Sequence, residues 1–280
     1  MLLLQSKPVV EEIKNRLGPR VESVCQLRGR PPRLAVVLVG DDPASVIYTR
    51  NKGRAAVELG MLHETIAFPA SAAPAEVKAA VDRLNADPAT HGILIQRPLP
   101  SQFNESEVLY WVTPEKDVDA FHPVNTGRLV LGLPCFAPCT PAGVMEILKH
   151  YNISASGKIA CVIGRSHIVG KPMTTMLLKE NATVIQCHTR TRDLPSMTSQ
   201  ADLLVVAAGR RGLIGPEHIK EGAVVVDVGM HRKEDGRLCG DVRFEEVAAL
   251  CSAITPVPGG VGPMTIAMLL ENTVRAAERA

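Results

Sequence analysis

Between Lys158 and Arg192 an apolar strand runs through a glycine-bounded turn into a helix, and a second strand then ends in a basic cluster. The first strand reads Lys158-Ile-Ala-Cys-Val-Ile163 and the turn Gly164-Arg-Ser-His-Ile-Val-Gly170; a helix is predicted from about Pro172 to Lys179. A strand, a tight turn and a helix N-terminus in that order offer backbone N–H groups and a positive dipole end to a pyrophosphate. Gly164, Arg165, Ser166, Val169 and Gly170 are the candidate contacts. The formal G-x-G-x-x-G pattern fails: Ser166 stands where the second glycine belongs, and the last glycine comes four residues after it. The second strand, Thr183-Val-Ile-Gln-Cys187, ends about twenty residues beyond the turn, where an acid would bind the ribose 2′-hydroxyl of NAD. It gives His188-Thr-Arg-Thr-Arg192 instead. Arg165 and Arg190, with Ser166, His188 and Thr189 beside them, suit a 2′-phosphate, which points to NADP. The motif alone fits an ordinary α/β turn with solvated arginines equally well.

The rest of the composition narrows the class. A chain of 280 residues, 46% hydrophobic, is long enough for two modest domains. Its 31 basic and 29 acidic residues leave a net charge of only +2, so no broad attraction to nucleic acid or membrane follows. Aromatics at 3% are too few for base-stacking platforms, whereas abundant Ala, Val, Ile and Leu suit helices layered on a parallel sheet. No apolar run has membrane-spanning length, and Met-Leu-Leu-Leu is too short for a signal segment, so a cytoplasmic protein is expected. Seven cysteines without paired C-x-x-C spacing read as reduced core residues, with no metal site.

Two open α/β domains flanking a cleft are expected. In the first, strands Leu34 to Val39 and Gly92 to Gln96 alternate with helices Ala44 to Leu59 and Pro74 to Leu84. A Pro/Gly-punctuated crossing from Pro123 to Pro141 leads to a helix at about Ala142 to His150. Beyond it, strands at 158, 183, 203 and 223 are apolar enough to be buried on both faces. The expected division is 1–138, completed by a C-terminal helix over 262–280, and a Rossmann-like domain over 139–261.

Candidate reacting groups lie in the first half. Asp41-Asp42-Pro43 supplies an N-cap and a first-turn proline. On the helix that follows, Tyr48 and Lys52 stand four apart and share a face. The apolar strand at Gly92 ends at the polar Gln96, and strand C-termini are where open α/β sheets place ligand groups. In Lys116-Asp-Val-Asp119 the two carboxylates would share a face if the segment is extended; one of them can equally be a cap or turn residue. Gly53, inside the helix, costs about 1 kcal/mol relative to Ala and suggests the close approach of a neighbour.

Taken together, Tyr48-x-x-x-Lys52, Ile95-Gln96-x-Pro-Leu-Pro100, Lys116-Asp-Val-Asp119 with Phe121-His-Pro123, Cys139-Thr-Pro141, Gly164-Arg-Ser-x-x-Val-Gly-x-Pro172 and Thr255-Pro-Val-Pro-Gly-Gly-Val-Gly-Pro-Met-Thr265 resemble one family. It is the bifunctional methylenetetrahydrofolate dehydrogenase/methenyltetrahydrofolate cyclohydrolases. The resemblance runs in the family's order from about Val36 to Asn272. It implies NADP-dependent oxidation of 5,10-methylenetetrahydrofolate, hydrolysis of the methenyl product to 10-formyltetrahydrofolate, one cleft for both reactions, and a homodimer through the cofactor domain. By the same resemblance Lys52 is the proton-transfer group, held partly neutral by burial and oriented by Gln96 and Tyr48. Tyr48 also stacks on the folate, Asp119 binds the pterin's amino-pyrimidine edge, and Gly259, Gly260 and Pro263 shape the wall beside it.

Three departures adjoin these residues: Arg54 replaces a frequent lysine, Arg97 follows Gln96 where leucine is usual, and Ala120 follows Asp119 where glycine is usual. Arg97 can reach the folate's glutamate carboxylates, a nearby acid or solvent. Two other readings compete. Shikimate-type dehydrogenases share the architecture, but their glycine turn and substrate motifs are not evident here. A folate-binding or regulatory protein with little turnover would not need Lys52 together with the Arg165 and Arg190 pair.

Overall fold

A computed structural model describes every residue from Met1 to Ala280. In chain order its strands are β1 (Leu2–Leu3), β2 (Arg33–Val39), β3 (Leu62–Phe68), β4 (Gly92–Ile95), β5 (Ile159–Ile163), β6 (Thr183–Cys187), β7 (Leu203–Val206), β8 (Val224–Asp227), β9 (His231–Arg232), β10 (Leu238–Cys239) and β11 (Ala253–Ile254). The chain divides into two compact units, Glu12–Ala137 with Ile266–Ala280, and Met1–Glu11 with Pro138–Thr265. No helix is long and apolar enough to cross a membrane.

In the first unit a parallel sheet has the order β3-β2-β4. The run Leu34-Ala-Val-Val-Leu-Val39 is buried throughout because β2 is the central strand, paired on both edges. The helix Pro43–Glu58 begins as the sequence signals: Asp42 caps it, accepting the Ser45 N–H at 2.8 Å, and Pro43 occupies the first turn. The helix Pro74–Ala86 turns Val77, Val81 and Leu84 onto Val37 and Ile93 to form the core of this unit. β3 was not expected. Its Leu-His-Glu-Thr-Ile-Ala-Phe sequence alternates poorly because it is an edge strand, partly solvated along its length.

The second unit carries a six-stranded parallel sheet of order β1-β11-β8-β7-β5-β6, with β7 and β8 wholly buried. From β5 the chain turns to one side to form β6, then crosses to the other side to form β7. The reversal leaves a crevice at the C-terminal end of β5, the place where such sheets take ligands. β9 and β10 form a separate antiparallel hairpin.

The compact units and the crossing differ in detail from the sequence reading. Residues 1–11 belong with the second unit and not with the first, because Leu2 and Leu3 pair in parallel with Ala253 and Ile254 and so extend its sheet. The division at the far end falls at Thr265, not at residue 261. The Pro123–Pro141 crossing contains a helix, Pro123–Val130, whose cap is the His122 ring: its Nδ1 accepts the Val124 N–H at 3.1 Å. A 23-residue helix, Ser6–Arg28, also went unpredicted; Pro19 inside it argues against helix in any local reading.

Candidate active site

Lys52 is the only lysine among the buried polar and charged residues, 8% exposed on the inner face of the Pro43–Glu58 helix. Its Nζ donates to Gln96 Oε1 at 2.9 Å. Gln96 presents that oxygen because its own Nε2 donates to the Arg97 carbonyl at 2.6 Å, while its main-chain N–H pairs with Val37 O at 2.8 Å. The amide is thereby fixed at the end of β4 with its acceptor toward the amine. One turn before Lys52, Tyr48 is half-buried, and desolvation pushes its phenol above the ordinary value, keeping it neutral. Gly53 permits the close neighbour that its position suggests: a Cβ there would meet His63 Cδ2 at 2.5 Å. Arg97 takes the nearby acid, donating to Glu105 at 2.6 Å with its guanidinium 5.8 Å from the Phe121 ring.

The two aspartates part company. Residues 117–120 form a turn closed by the Ala120 N–H on Asp117 O, and not the extended segment that would put both carboxylates on one face. Asp117 is buried, accepts the His122 N–H at 2.8 Å and Asn125 Nδ2 at 2.9 Å, and bridges in parallel to Ile93. Burial raises its pKa against those hydrogen bonds. Asp117 therefore holds the turn, whereas Asp119 is partly exposed. The Asn272 amide anchors the segment between them, donating to Val118 O at 2.8 Å and Ala137 O at 3.0 Å. Nothing in the local sequence signals Asn272 in this role, which joins positions 154 residues apart.

In the second unit the turn after β5 is built around two glycines. Gly164 has φ +118°, and a Cβ on it would meet Ala207 O at 2.2 Å; a Cβ on Gly170 would meet Gly164 O at 2.1 Å. Helix Gly170–Lys179 thus starts against the strand end, two residues earlier than predicted. Ser166, which broke the formal pattern, has a reason to be there: its Oγ accepts the Val169 N–H at 3.2 Å and, at 3.4 Å, the Gly170 N–H. The longer turn therefore keeps both glycine functions, the tight turn and the close helix–strand approach, and adds a hydroxyl cap. Arg165 and Arg190 are exposed, and neither is in an ion pair. After β6 the His188 N–H pairs with Thr191 Oγ1 at 2.8 Å, and His188 Nδ1 accepts the Arg190 N–H at 3.1 Å. That tight turn presents Thr189 and Arg190 outward, both exposed.

Gly259, Gly260 and Pro263 belong to this second unit, whereas Tyr48, Lys52, Gln96 and Asp119 belong to the first. Gly259 has φ +98° and its carbonyl takes both the N–H and the Oγ of Ser6 at 2.9 Å; a Cβ on Gly260 would meet Pro256 O at 2.4 Å. Missed by the sequence reading is a pair of buried aspartates, Asp227 at the end of β8 and Asp241 just after β10. Asp241 accepts the Ala208 and Gly209 N–H groups and lies 2.7 Å from His231 Nε2. Asp227 accepts from Gly229, Asp241 and Val242, yet burial still raises its pKa to about 6. The signal available was Asp227 closing a Val-Val-Val run.

Comparison with known proteins decides the family. Residues 4–119 match the tetrahydrofolate dehydrogenase/cyclohydrolase catalytic domain, and residues 138–280 the NAD(P)-binding domain of the same family. The chain belongs to the tetrahydrofolate dehydrogenase/cyclohydrolase family. It is 50% identical over 277 residues to the bifunctional protein FolD of Streptococcus pyogenes, covering 99% of this chain and 98% of that one. The crystal structure of the FolD methylenetetrahydrofolate dehydrogenase/cyclohydrolase from Campylobacter jejuni superposes with a TM-score of 0.97 at 48% identity, covering 100% of this chain and 99% of that one. The Trypanosoma brucei enzyme, solved with NADP cofactor and inhibitor, gives 0.94 at 36% identity, covering 100% and 98%. A shikimate 5-dehydrogenase from Thermus thermophilus reaches only 0.54 at 18% identity, over 88% of this chain and 99% of that one; the alternative reading shares the fold alone.

Proposed function

We propose that this enzyme oxidises 5,10-methylenetetrahydrofolate with NADP and hydrolyses the methenyl product to 10-formyltetrahydrofolate, a step of one-carbon metabolism. The observation that carries the reading is the buried Lys52, joined to Gln96 on the helix face that also bears Tyr48. When bound, NADP supplies the hydride acceptor. Oxidation draws its electronic push from a folate nitrogen, so the protein's task is alignment: Tyr48 stacks on the folate, Asp119 holds the amino-pyrimidine edge, and Gly259, Gly260 and Pro263 form the adjoining wall. Hydrolysis asks for more, because water must lose a proton as it attacks the methenyl carbon and a ring nitrogen must later gain one. Lys52 moves that proton. Burial favours the neutral amine this requires, and the Gln96 oxygen directs Nζ without adding a formal charge.

The residues present fit NADP. The two glycines leave the turn without a side chain at positions 164 and 170, at the N-terminus of a ten-residue helix, and Arg165 and Arg190 stand exposed at the ends of β5 and β6. Val169 and Gly170 supply backbone to the pyrophosphate; Arg165, Ser166, His188, Thr189 and Arg190 take the 2′-phosphate side. A cytoplasmic homodimer formed through the cofactor-binding unit belongs to the same reading and is supported by the family resemblance.

One assay with 5,10-methylenetetrahydrofolate, following the reduced cofactor and the 10-formyl product together, tests the whole. Both products form with NADP and far less with NAD. Each arginine lost from the Arg165 and Arg190 pair weakens NADP by about 1.5 to 3 kcal/mol and leaves NAD nearly unchanged. Equal use of NAD and NADP by the unmodified enzyme would refute the phosphate site.

A further inference from the structure

Gln96 stands at the C-terminal end of the first unit's sheet. At the opposite end, where β2 and β4 begin, lies a cavity of about 490 Å³. Arg28, Arg30, His91, Lys116, Arg128 and Arg279 line it, and Glu115 and the carboxylate of Ala280 are the acidic groups in its wall.

None of these cations is held in an ion pair with a side-chain carboxylate, although Asp87 lies near enough to attract Lys116 and His91. Arg28 donates to the Glu278 carbonyl at 3.3 Å and Arg30 to the Pro88 carbonyl at 2.5 Å, and neither meets a carboxylate. Arg279 lies 5.4 Å from the Phe136 ring, and Arg128 is exposed with no partner. Lys116 is committed structurally, donating to the carbonyls of Leu84, Asn85 and Asp87 at 2.7 to 3.0 Å, and burial lowers its pKa against the attraction of Asp87.

His91 adds a directed donor. It is 3% exposed and its Nδ1 accepts the Arg33 N–H at 3.0 Å, which places the proton of the neutral ring on Nε2. Nε2 makes no hydrogen bond within the chain. Burial lowers the His91 pKa to about 4, and repulsion from Arg30, Lys116 and Arg28 adds to that, outweighing the attraction of Asp87. The ring therefore stays neutral beside a concentration of positive charge.

A ligand-sized cavity walled by converging guanidinium groups with little counter-charge is a receptor for a multiply charged anion. Phosphate suits it best, because its several acceptor oxygens satisfy guanidinium forks arriving from different segments at once. We propose that this cavity is a binding site for a phosphorylated organic anion, separate from the folate and cofactor sites.

Calorimetric titration of the full-length enzyme with inorganic pyrophosphate at low salt tests this. Saturable binding is expected, weakened by added salt, with a perturbed His91 Nε2 resonance. Arg128→Ala and Arg30→Ala each weaken it roughly tenfold or more. Arg128→Ala should fold normally because the side chain is exposed and unpartnered, and an unchanged thermal unfolding curve checks that. The Arg165→Ala/Arg190→Ala double variant leaves this binding intact. Absence of saturable binding, indifference to both cavity variants, or loss only in the cofactor-side double variant would each overturn the proposal.

Discussion

At position 120 a buried alanine sits with φ 64° immediately after Asp119. A left-handed L-residue costs roughly 1 to 2 kcal/mol, and glycine gives back about 0.4 to 1 kcal/mol of that through the freer unfolded chain. Ala120→Gly is therefore expected to stabilise by no more than about 1.6 kcal/mol, and Ala120→Val to destabilise, as denaturant unfolding would show. Gly53→Ala runs the other way from its helix propensity: the added methyl meets the His63 ring, and displacing a packed ring costs about 1 to 3 kcal/mol against a propensity gain of about 1. Net destabilisation in the same unfolding experiment is the expected outcome. The sequence signalled a close neighbour at Gly53 but not which one, because His63 lies on an edge strand with little periodicity. It marked Lys52, Tyr48 and Gln96 through helix spacing and a polar strand end. Asp117 and Asp119 looked alike until the turn at 117–120 sent one inward.

Among the elements, the β5 turn shows why a pattern can fail while its physics survives. Gly170 faces the Gly164 carbonyl across the turn, and Gly164 faces that of Ala207, so Gly170→Ala drives a methyl into the Gly164 carbonyl. Loss of measurable NADP binding with folate binding retained is expected, read by equilibrium titration with each ligand. Ser166→Ala removes the cap on Val169 and Gly170, which should cost about 1 kcal/mol of stability. The buried parallel strands were readable as continuous apolar runs, and β5, β6, β7 and β8 lie close to where those runs put them. β1 and β11 are two residues each, too short for any periodicity, and the long N-terminal helix is hidden by its internal Pro19.

For the molecule as a whole, two buried groups set opposing pH dependences. His91 has a folded pKa of about 4 against an ordinary 6.5, so its contribution is complete above pH 6.5 and drains away as pH falls toward 4. Asp227, at about 6 against 3.8, contributes fully below pH 3.8 and loses that contribution as pH rises through 6. His91→Asn, which keeps an acceptor for the Arg33 N–H, should flatten the loss of stability between pH 6.5 and 4 in denaturant melts; an unchanged acid limb would show that the ring does not titrate in this way. The central claim, that one buried lysine moves the proton of hydrolysis while oxidation needs mainly alignment, is tested most directly by Lys52→Met supplied with 5,10-methylenetetrahydrofolate and NADP. Reduced cofactor should form and methenyltetrahydrofolate accumulate, with little 10-formyl product. A folded variant that hydrolyses supplied methenyltetrahydrofolate at the unmodified enzyme's rate would contradict the account.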